Sequence, residues 1–351
     1  MYYFDFIPKE LFETILSFLD YYDFILFSEA FDINNLNFSL IYYYRFNDQR
    51  ILKYRKYKKY LGISDLKGNL GLEQSLKELN QLIDLRLDDK ELTFIPETIG
   101  VLTQLKSLNL SKNKLTFLPD TIRNLTQLEV LYLNLNKFDS LPDNIGNLTQ
   151  LRHLYLGYNE LTSLPDSIGN LSQLEYLGLH DNKLGSSFNK LVQSKTLQSI
   201  GRLTQLKKLT LTNNGLTFLS DEIGKLISLK VLYLNNNELT SLPNSIGGLT
   251  QLTYLRLDKN KLTSLPDSIW ELTQLWELHL NGNEFTSLPD SIGNLTQLRR
   301  LRLNNNEFTS LPDSIGNLTQ LRQLRLKKNK FTSYPKILDK LINTQISIDP
   351  F

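Results

Sequence analysis

The chain of 351 residues has no cysteine, one methionine, two tryptophans and three histidines. The absence of cysteine excludes disulfides, a cysteine nucleophile and any zinc or iron–sulfur site with cysteine ligands. It also favours an intracellular, cytoplasmic protein, because disulfides belong to oxidising compartments. The composition therefore excludes cysteine-dependent enzymes, cysteine-ligated metal proteins and disulfide-bonded secreted scaffolds.

The chain also lacks a dominant charge and a long apolar run. It has 39 Lys and Arg against 37 Asp and Glu, a net charge of +2, which argues against a dedicated nucleic-acid-binding protein. No stretch of about 18 uncharged apolar residues occurs, so we expect no membrane span. Asp5, Glu10 and Glu13 interrupt the N-terminal segment, which therefore does not resemble a signal peptide.

One pattern, L-x-x-L-x-L-x-x-N-x-[LF], recurs along most of the chain from Leu82 onward. Nine of the ten spacings between its eleven copies are 23 residues, and one is 32. Leucines such as Leu154 and Leu156 alternate with other residues, which is typical of a half-buried strand. One unit cannot bury its own leucines, but stacked neighbours can. The copies begin at Leu82, Leu105, Leu128, Leu151, Leu174, Leu206, Leu229, Leu252, Leu275, Leu298 and Leu321.

This pattern resembles the leucine-rich repeats of the 23-residue intracellular class, found in Ras-associated and plant repeat proteins. The resemblance implies an α/β leucine-rich-repeat solenoid with a curved parallel sheet and short convex helices or turns. We expect eleven strands in residues 71–340 and a C-terminal cap in residues 341–351. The asparagine of each unit, absent only from the first, where Lys90 stands, should bond backbone groups of adjacent coils and have no catalytic role.

The second half of each unit has a proline in nine copies, which excludes a central strand there. Pro-Asp-Ser should begin a short helical turn, and a glycine such as Gly146 or Gly293 should end it. Nine extra residues lie between Leu184 and Ile200, and the next unit has Ser220 in place of proline. The insertion is either a tolerated loop or extra helical turn, or a local partner contact or bend.

Residues between the strand leucines should point to the open, concave face of the sheet. Tyrosine and arginine, which are enriched in interface hot spots, favour a protein-binding surface there, with a basic C-terminal half suited to an acidic or phosphorylated partner. All three histidines fall on this face, but no set of metal ligands forms, and we predict no cofactor, metal or catalytic residue. The predicted binding residues are Tyr132, Tyr155, Tyr158, Tyr176, Tyr233, Tyr254, Arg256, Arg300, Arg302 and Arg325, with further cations at Lys259, Lys327 and Lys328.

Residues 1–70 lack the repeat, and apolar residues recur in them at helical spacing. The segment I-P-K-E-L-F-E-T-I-L-S-F-L-D-Y-Y-D-F resembles the first half of the F-box, through Ile7, Pro8, Leu11, Ile15 and Leu19 in particular. The resemblance implies that these residues bind a Skp-type adaptor of a cullin-RING ubiquitin ligase. The alternative is a small helical domain that only caps the first repeat.

Two hypotheses for function follow. In the first, the chain is a non-enzymatic, F-box-like substrate receptor whose repeats hold the target. In the second, it is a leucine-rich-repeat scaffold or regulator of a signalling protein such as a phosphatase or GTPase, with no ubiquitin role. The basic stretch RILKYRKYKK (50–59) is interpreted as a solvated helix face, with nucleic acid, a nuclear address or acidic lipid as alternatives.

Overall fold

The computed structural model describes residues 70, 79, 81–185, 190–333, 335–342 and 347–349. The chain divides into two compact units, residues 1–82 with 98–102, and residues 83–97 with 103–351. The sheet and the candidate site lie in the second unit. The predicted helical domain 1–70, apart from Leu70, lies outside the described residues, and so do the predicted adaptor-binding residues Ile7, Pro8, Leu11, Ile15 and Leu19.

Within the described residues, the second unit contains a single parallel sheet of twelve strands in sequential order. This confirms the predicted parallel sheet, since each of the eleven repeats contributes one three-residue strand. Successive strands pair in register, so that Leu131 is opposite Leu154 and Tyr132 is opposite Tyr155. The repeat strands are β1 Asp84–Arg86, β2 Ser107–Asn109, β3 Val130–Tyr132, β4 His153–Tyr155, β5 Tyr176–Gly178, β6 Lys208–Thr210, β7 Val231–Tyr233, β8 Tyr254–Arg256, β9 Glu277–His279, β10 Arg300–Arg302 and β11 Gln323–Arg325.

The twelfth strand was not predicted. Beyond the repeats, the chain forms α2 (Ile337–Ile342) and then β12 (Ser347–Asp349), which pairs with β11 in parallel. In this register Ile348 is opposite Leu324. The segment 341–351 therefore contributes a strand that pairs with the backbone edge of the last repeat, an edge that would otherwise offer unpaired N–H and C=O groups.

The core is a set of leucine columns behind the sheet. The central residue of the repeat strands is almost completely buried, as at Leu108, Leu154 and Leu301, each 0% exposed. Burying a leucine side chain contributes about 1.5–3 kcal/mol. Because each leucine packs between neighbouring coils, this stabilisation is shared along the stack and no coil obtains it alone.

The asparagines bond the backbone of adjacent coils, as predicted. Asn159 Nδ2 donates to Leu133 O and Leu156 O, each at 3.0 Å, and its Oδ1 accepts from Phe138 N at 3.1 Å. The same arrangement recurs from Asn113 to Asn329. These side chains satisfy backbone groups that would otherwise be buried without partners, which costs about 1–3 kcal/mol for each group.

The residue before this asparagine adopts a left-handed conformation in coil after coil. Its φ is 55° at Tyr158, 54° at Lys259 and 58° at Lys328, and Gly282 at 65° takes the position in its repeat. Non-glycine residues accept this conformation at a cost of order 1 kcal/mol. This conformation makes a tight turn, from which the asparagine side chain reaches the backbone groups of the adjacent coil.

The proline-containing arms form 3-10 turns, as the sequence indicates, with proline immediately before the first helical residue (Pro119 φ −67°). Ser220, which replaces proline, accepts a hydrogen bond from Glu222 N at 3.3 Å. The described turns are Glu97–Val101, Asp120–Asn124, Asp143–Asn147, Asp166–Asn170, Asp221–Lys225, Asn244–Gly248, Asp267–Glu271, Asp290–Asn294 and Asp313–Asn317.

The prediction that glycine ends these turns was wrong. Gly146 lies inside the turn Asp143–Asn147, which ends one residue later. A Cβ at Gly146 would lie 2.5 Å from Ser167 O of the next coil. Glycine is therefore present there because adjacent turns approach each other closely, and not because the chain needs a left-handed cap.

The insertion forms a helix, α1 (Lys190–Gly201), which stands where the other repeats have a 3-10 turn and packs between the turns Asp166–Asn170 and Asp221–Lys225. Leu197 and Ile200 enter the core. Thr196 Oγ1 accepts from Leu164 N at 3.2 Å, and Ser199 Oγ donates to Asp166 Oδ1 at 3.2 Å. The insertion is therefore bonded to the preceding coil along its buried face.

Candidate functional site: the open face of the sheet

The side of the sheet opposite the leucine core is called the open face. It consists of three rows that cross the strands: the first residue of each strand (first row), the third residue (second row) and the residue two positions beyond the strand (third row). The residues before the first row form an edge row. The second row reads Arg86, Asn109, Tyr132, Tyr155, Gly178, Thr210, Tyr233, Arg256, His279, Arg302 and Arg325 from β1 to β11.

The structure places most of the predicted binding residues on this face. Tyr132, Tyr155 and Tyr233 are in the second row, and Tyr176 and Tyr254 are in the first row. All five are partly exposed. Tyr158 is different, because it occupies the left-handed turn after β4, where its exposed ring meets His180 edge-on at 5.1 Å. Lys259 and Lys328 occupy the same turn position in their repeats.

The tyrosines and two cations form a continuous stack, here called the ring–cation ladder: Tyr132, Tyr155, Tyr176, Lys208, Tyr233 and Arg256. The rings of Tyr132 and Tyr155 stack with centroids 4.5 Å apart, and those of Tyr155 and Tyr176 are 4.6 Å apart. Lys208 Nζ lies 5.4 Å from the ring centroids of both Tyr176 and Tyr233. Arg256 Cζ lies 4.8 Å from that of Tyr233, which extends the ladder over the six strands β3–β8.

One glycine makes room for the ladder, and a second makes room for His180 beside it. A Cβ at Gly178 would lie 2.8 Å from Tyr176 Oη and 2.9 Å from its Cε1, so the ring of Tyr176 occupies the space of the missing side chain. A first-row residue thus enters the second row next to Tyr155. In the same way, a Cβ at Gly157 would lie 2.3 Å from His180 Nε2, so the imidazole fills that space.

The ladder determines which chemical groups of the open face a partner would contact. Tyr132 and Tyr155 stack face to face, and strand side chains stand roughly perpendicular to the sheet, so the edges and hydroxyl groups of these two rings lie toward the open side, whereas the hydroxyl of Tyr176 lies against Gly178. Burial raises the pKa of Tyr155, and the neighbouring Tyr132 and Tyr176 raise it further. Burial also raises the pKa of Tyr176. These hydroxyls therefore stay protonated near neutral pH and can donate hydrogen bonds.

The predicted basic half is present in β8–β11. Arg256, His279, Arg302 and Arg325 follow one another in the second row, and Arg300 is in the first row. Arg302 is directly opposite Arg325, and its guanidinium donates to Gln323 Oε1 at 3.4 Å. Lys327 continues this region into the third row, two residues beyond Arg325.

His279 is the one predicted open-face histidine that solvent barely reaches, with 2% of its side chain exposed. Its Nδ1 lies 3.7 Å from Asp258 Oδ2, and its Nε2 lies 3.3 Å from Glu277 Oε2 without hydrogen-bond geometry. Glu277 also pairs with Arg300. Burial acts to raise the pKa of Asp258, but hydrogen bonds from His279 and Asn281 and the charge of His279 outweigh it and lower the pKa.

The edge row differs from the second row in charge. Lys106 pairs with Glu129 at 3.0 Å, Arg152 with Glu175 at 3.0 Å, and Lys207 with Glu175 at 2.7 Å. Opposite charges thus alternate from coil to coil. From β2 to β6 the edge row thus largely compensates its own charge, whereas on β7–β11 it carries no carboxylate and consists of Lys230, Thr253, Trp276, Arg299 and Arg322.

Neither Lys208 nor Gly178 was predicted from the sequence. The insertion widens the spacing between Tyr176 and Lys208 to 32 residues, which hides the fact that they are direct neighbours. Within the described residues, no group of three or more His, Cys, Asp or Glu side chains could hold a metal ion. The same residues contain no helix with the length and apolar character needed to cross a membrane.

Comparisons with known proteins agree with this architecture. A family model described as a leucine-rich repeat region matches residues 43–154, 183–280 and 247–345, and a leucine rich repeat model matches residues 126–184. No curated protein matches the chain.

Several solved structures are similar. A leucine-rich-repeat protein of Leptospira interrogans is 31% identical over 79% of this chain and 86% of that one, with a TM-score of 0.47. The plant peptide hormone receptor RGFR1, solved in complex with RGF2, is 30% identical over 74% of this chain and 41% of the receptor, with a TM-score of 0.61. An internalin, InlF, of Listeria monocytogenes is 26% identical over 83% of this chain and 94% of that one, with a TM-score of 0.51. With its eleven repeats in one parallel sheet, the chain belongs to the leucine-rich-repeat family.

Proposed function

We propose that this protein is a non-enzymatic module that binds a protein partner on the open face. The observation that carries the proposal is the ring–cation ladder, whose six side chains are held against one another on the rigid sheet while remaining partly exposed. Side chains already fixed in place lose little conformational entropy on binding. Tyrosine and arginine are also the residue types on which interface energy concentrates.

One comparison supports this proposal. The similar plant peptide hormone receptor RGFR1 was solved in complex with RGF2, so a protein 30% identical to this chain forms a complex with another molecule.

Affinity purification of the full chain followed by mass spectrometry tests the proposal. The double variant Tyr155→Ala/Tyr233→Ala removes two rings of the ladder and should lose the partners that the unaltered chain retains. Ile227→Thr is the matched control, because Ile227 is 58% exposed and lies in the loop between the turn Asp221–Lys225 and β7, away from the ladder. Equal recovery of every partner by all three proteins would contradict the proposal.

We further propose that the N-terminal segment gives this module its context, as an F-box-like substrate receptor in the cytoplasm. The support is the sequence pattern Ile7, Pro8, Leu11, Ile15 and Leu19 together with the absence of cysteine. A pull-down with a Skp-type adaptor tests it. Replacing Pro8 and Leu11 by polar residues should abolish capture of the adaptor while leaving open-face partners bound.

The alternative is a scaffold or regulator of a signalling protein. It predicts that the adaptor is not captured, and that deletion of residues 1–60 lowers the melting temperature of the repeats. A separate docking domain would leave that temperature nearly unchanged.

A further inference from the structure

We propose that the part of the partner bound by the open face is an extended acidic polypeptide segment lying across the strands. Its carbonyl groups face the hydroxyls of Tyr132 and Tyr155, and its carboxylates face Arg256 and Arg302. This inference rests on the proposed protein-binding function and names the chemistry of the partner.

The orientation of the rings determines which groups are attracted. Stacking occupies one face of Tyr132 and both faces of Tyr155, and Lys208 and Arg256 cover the remaining faces of Tyr176 and Tyr233. Apart from the outer face of Tyr132, toward Asn109 of β2, the ladder therefore offers a partner's cation no free ring face. Ring edges carry partial positive charge, and tyrosine hydroxyls donate, so this surface favours acceptors and anions.

The charges of the second row favour the same partner. Among the residues that the structure describes, Lys208, Arg256 and Arg302 have no carboxylate at salt-bridge distance. The two acidic side chains of the open face on β8 and β9 are already engaged, Asp258 by His279 and Asn281, and Glu277 by Arg300 and His279. The open face from β6 to β10 therefore presents an excess of positive charge.

The edge row on β2–β6 shows that the repeat can place compensating charges in adjacent coils. There Lys106, Glu129, Arg152, Glu175 and Lys207 alternate in sign, with the ion pairs Lys106–Glu129, Arg152–Glu175 and Lys207–Glu175. The second row has no carboxylate from β7 to β11, and among the described residues its Arg256 and Arg302 form no ion pair. Complementarity to charges on another molecule accounts for these two cations.

The spacing of the row favours an extended chain with several carboxylates over a single compact anion. Arg256 and Arg302 lie two strands apart, on β8 and β10, which is about 10 Å at the usual strand separation. Residues three apart in an extended chain span about the same distance. From Tyr132 on β3 to Arg302 on β10 there are seven strand steps, so the segment would be about ten residues long.

Selection from a library of random twelve-residue peptides displayed on phage, with the full chain as target, tests the inference. We expect the selected peptides to be rich in Asp and Glu and poor in Lys and Arg. Synthetic copies with Asp and Glu replaced by Asn and Gln should bind more weakly in fluorescence polarisation. Selected peptides that are basic or uncharged, or no selection of acidic sequences at all, would overturn the inference.

Two matched double variants separate recognition from general attraction. Arg256→Gln/Arg302→Gln should raise the Kd of a selected peptide about tenfold. Lys106→Gln/Arg152→Gln changes the net charge by the same amount in the edge row and should change the Kd about threefold at most. Equal weakening by both pairs would show that only net charge matters and would overturn the inference.

The remaining outcomes concern the tyrosines and the type of anion. Tyr132→Phe/Tyr155→Phe keeps the rings but removes the hydroxyls, and should raise the Kd about fivefold or more. An unchanged Kd would exclude the hydroxyls from the contact.

A phosphoserine peptide that binds about tenfold tighter than its aspartate counterpart would replace carboxylates with phosphate as the recognised group. If the selected peptides are not acidic but still fail to bind Tyr155→Ala/Tyr233→Ala, the protein-binding function stands and only the acidic partner is rejected.

Discussion

The ring of Tyr176 lies across Gly178, two residues further along the same strand, with Oη 2.8 Å from where a Cβ would be. This contact carries the ladder over β5, where the second row has no side chain of its own. On one side Tyr176 stacks against Tyr155 at 4.6 Å, and on the other it is covered by Lys208. A single missing side chain thus connects the tyrosines of β3 and β4 to the cations of β6 and β8.

A double-mutant cycle tests this relationship. In a Tyr176→Ala background, Gly178→Ala should raise the free energy of unfolding by about 0.5–1 kcal/mol, because alanine reduces the entropy of the unfolded chain. With Tyr176 present, the same change should give no gain, because the new methyl group displaces the ring and costs about 0.5–1.5 kcal/mol of aromatic contact. Denaturant unfolding measures both values, and equal effects in the two backgrounds would refute the contact.

Removing one of the asparagines that bond the backbone of adjacent coils should be strongly destabilising. Asn159→Ala leaves Leu133 O, Leu156 O and Phe138 N without their partner, and we expect a loss of about 3 kcal/mol or more. Asn144→Ala is the control, because Asn144 bonds only the exposed Asp120, and its loss should cost less than about 1 kcal/mol. Similar losses in the two variants, measured by thermal or urea unfolding, would argue against the structural role of Asn159.

The helix α1 should depend on its buried hydroxyl groups, of which that of Thr196 can be tested singly. Thr196 is 2% exposed and accepts from Leu164 N at 3.2 Å, so Thr196→Val keeps the shape but leaves that N–H unpaired. We expect a loss of about 1–2 kcal/mol. Gln198→Ala, at an exposed position of the same helix, should change the free energy of unfolding by less than about 0.5 kcal/mol. If the two variants unfold alike, the insertion is not anchored as described.

Asp258 should contribute to stability in a manner that depends on pH. Its pKa in the folded protein is lowered from the ordinary value of 3.8, so the folded state holds the proton less tightly than the unfolded state does. The resulting stabilisation is present above pH 3.8 and is lost as the pH falls through the folded pKa.

Asp258→Asn should therefore reduce the slope of unfolding free energy against pH below about pH 4. His279→Gln should reduce it as well, because the variant removes the hydrogen bond and the charge that lower the pKa of Asp258. Unfolding free energies measured over an acid pH series give the slope. A wild-type slope in both variants would contradict the assigned cause.

Much of the fold could be predicted from the sequence because the interactions that determine it are local and repeated. The spacing of leucines such as Leu154 and Leu156 gives the strand and its buried side, and repetition at 23 residues gives the parallel stack. The role of Asn159 followed from its hydrogen-bonding capacity alone. The twelfth strand escaped prediction because Ser347–Asp349 pairs through its backbone and has no leucine pattern to reveal it.

The glycine of the turns was misinterpreted for a related reason. A glycine after a helical turn usually marks a left-handed cap, and the sequence contains nothing that distinguishes this use from close packing. Only the distance from Gly146 to Ser167 of the next coil identifies the cause. Likewise, alternation placed Tyr158 on the open face, whereas the left-handed turn removes it from the strand.

The sequence by itself determined which residues are buried, that the coils stack, and that tyrosines and arginines gather on one face. These properties depend on period and residue type, which any coil shares with its neighbours. Only the tertiary structure decided that Tyr176 bends over Gly178, that Lys208 lies between two rings, and that His279 is enclosed by Asp258 and Glu277. Those contacts join residues of different coils, and their geometry depends on the space left by a neighbouring side chain, which no periodic pattern encodes.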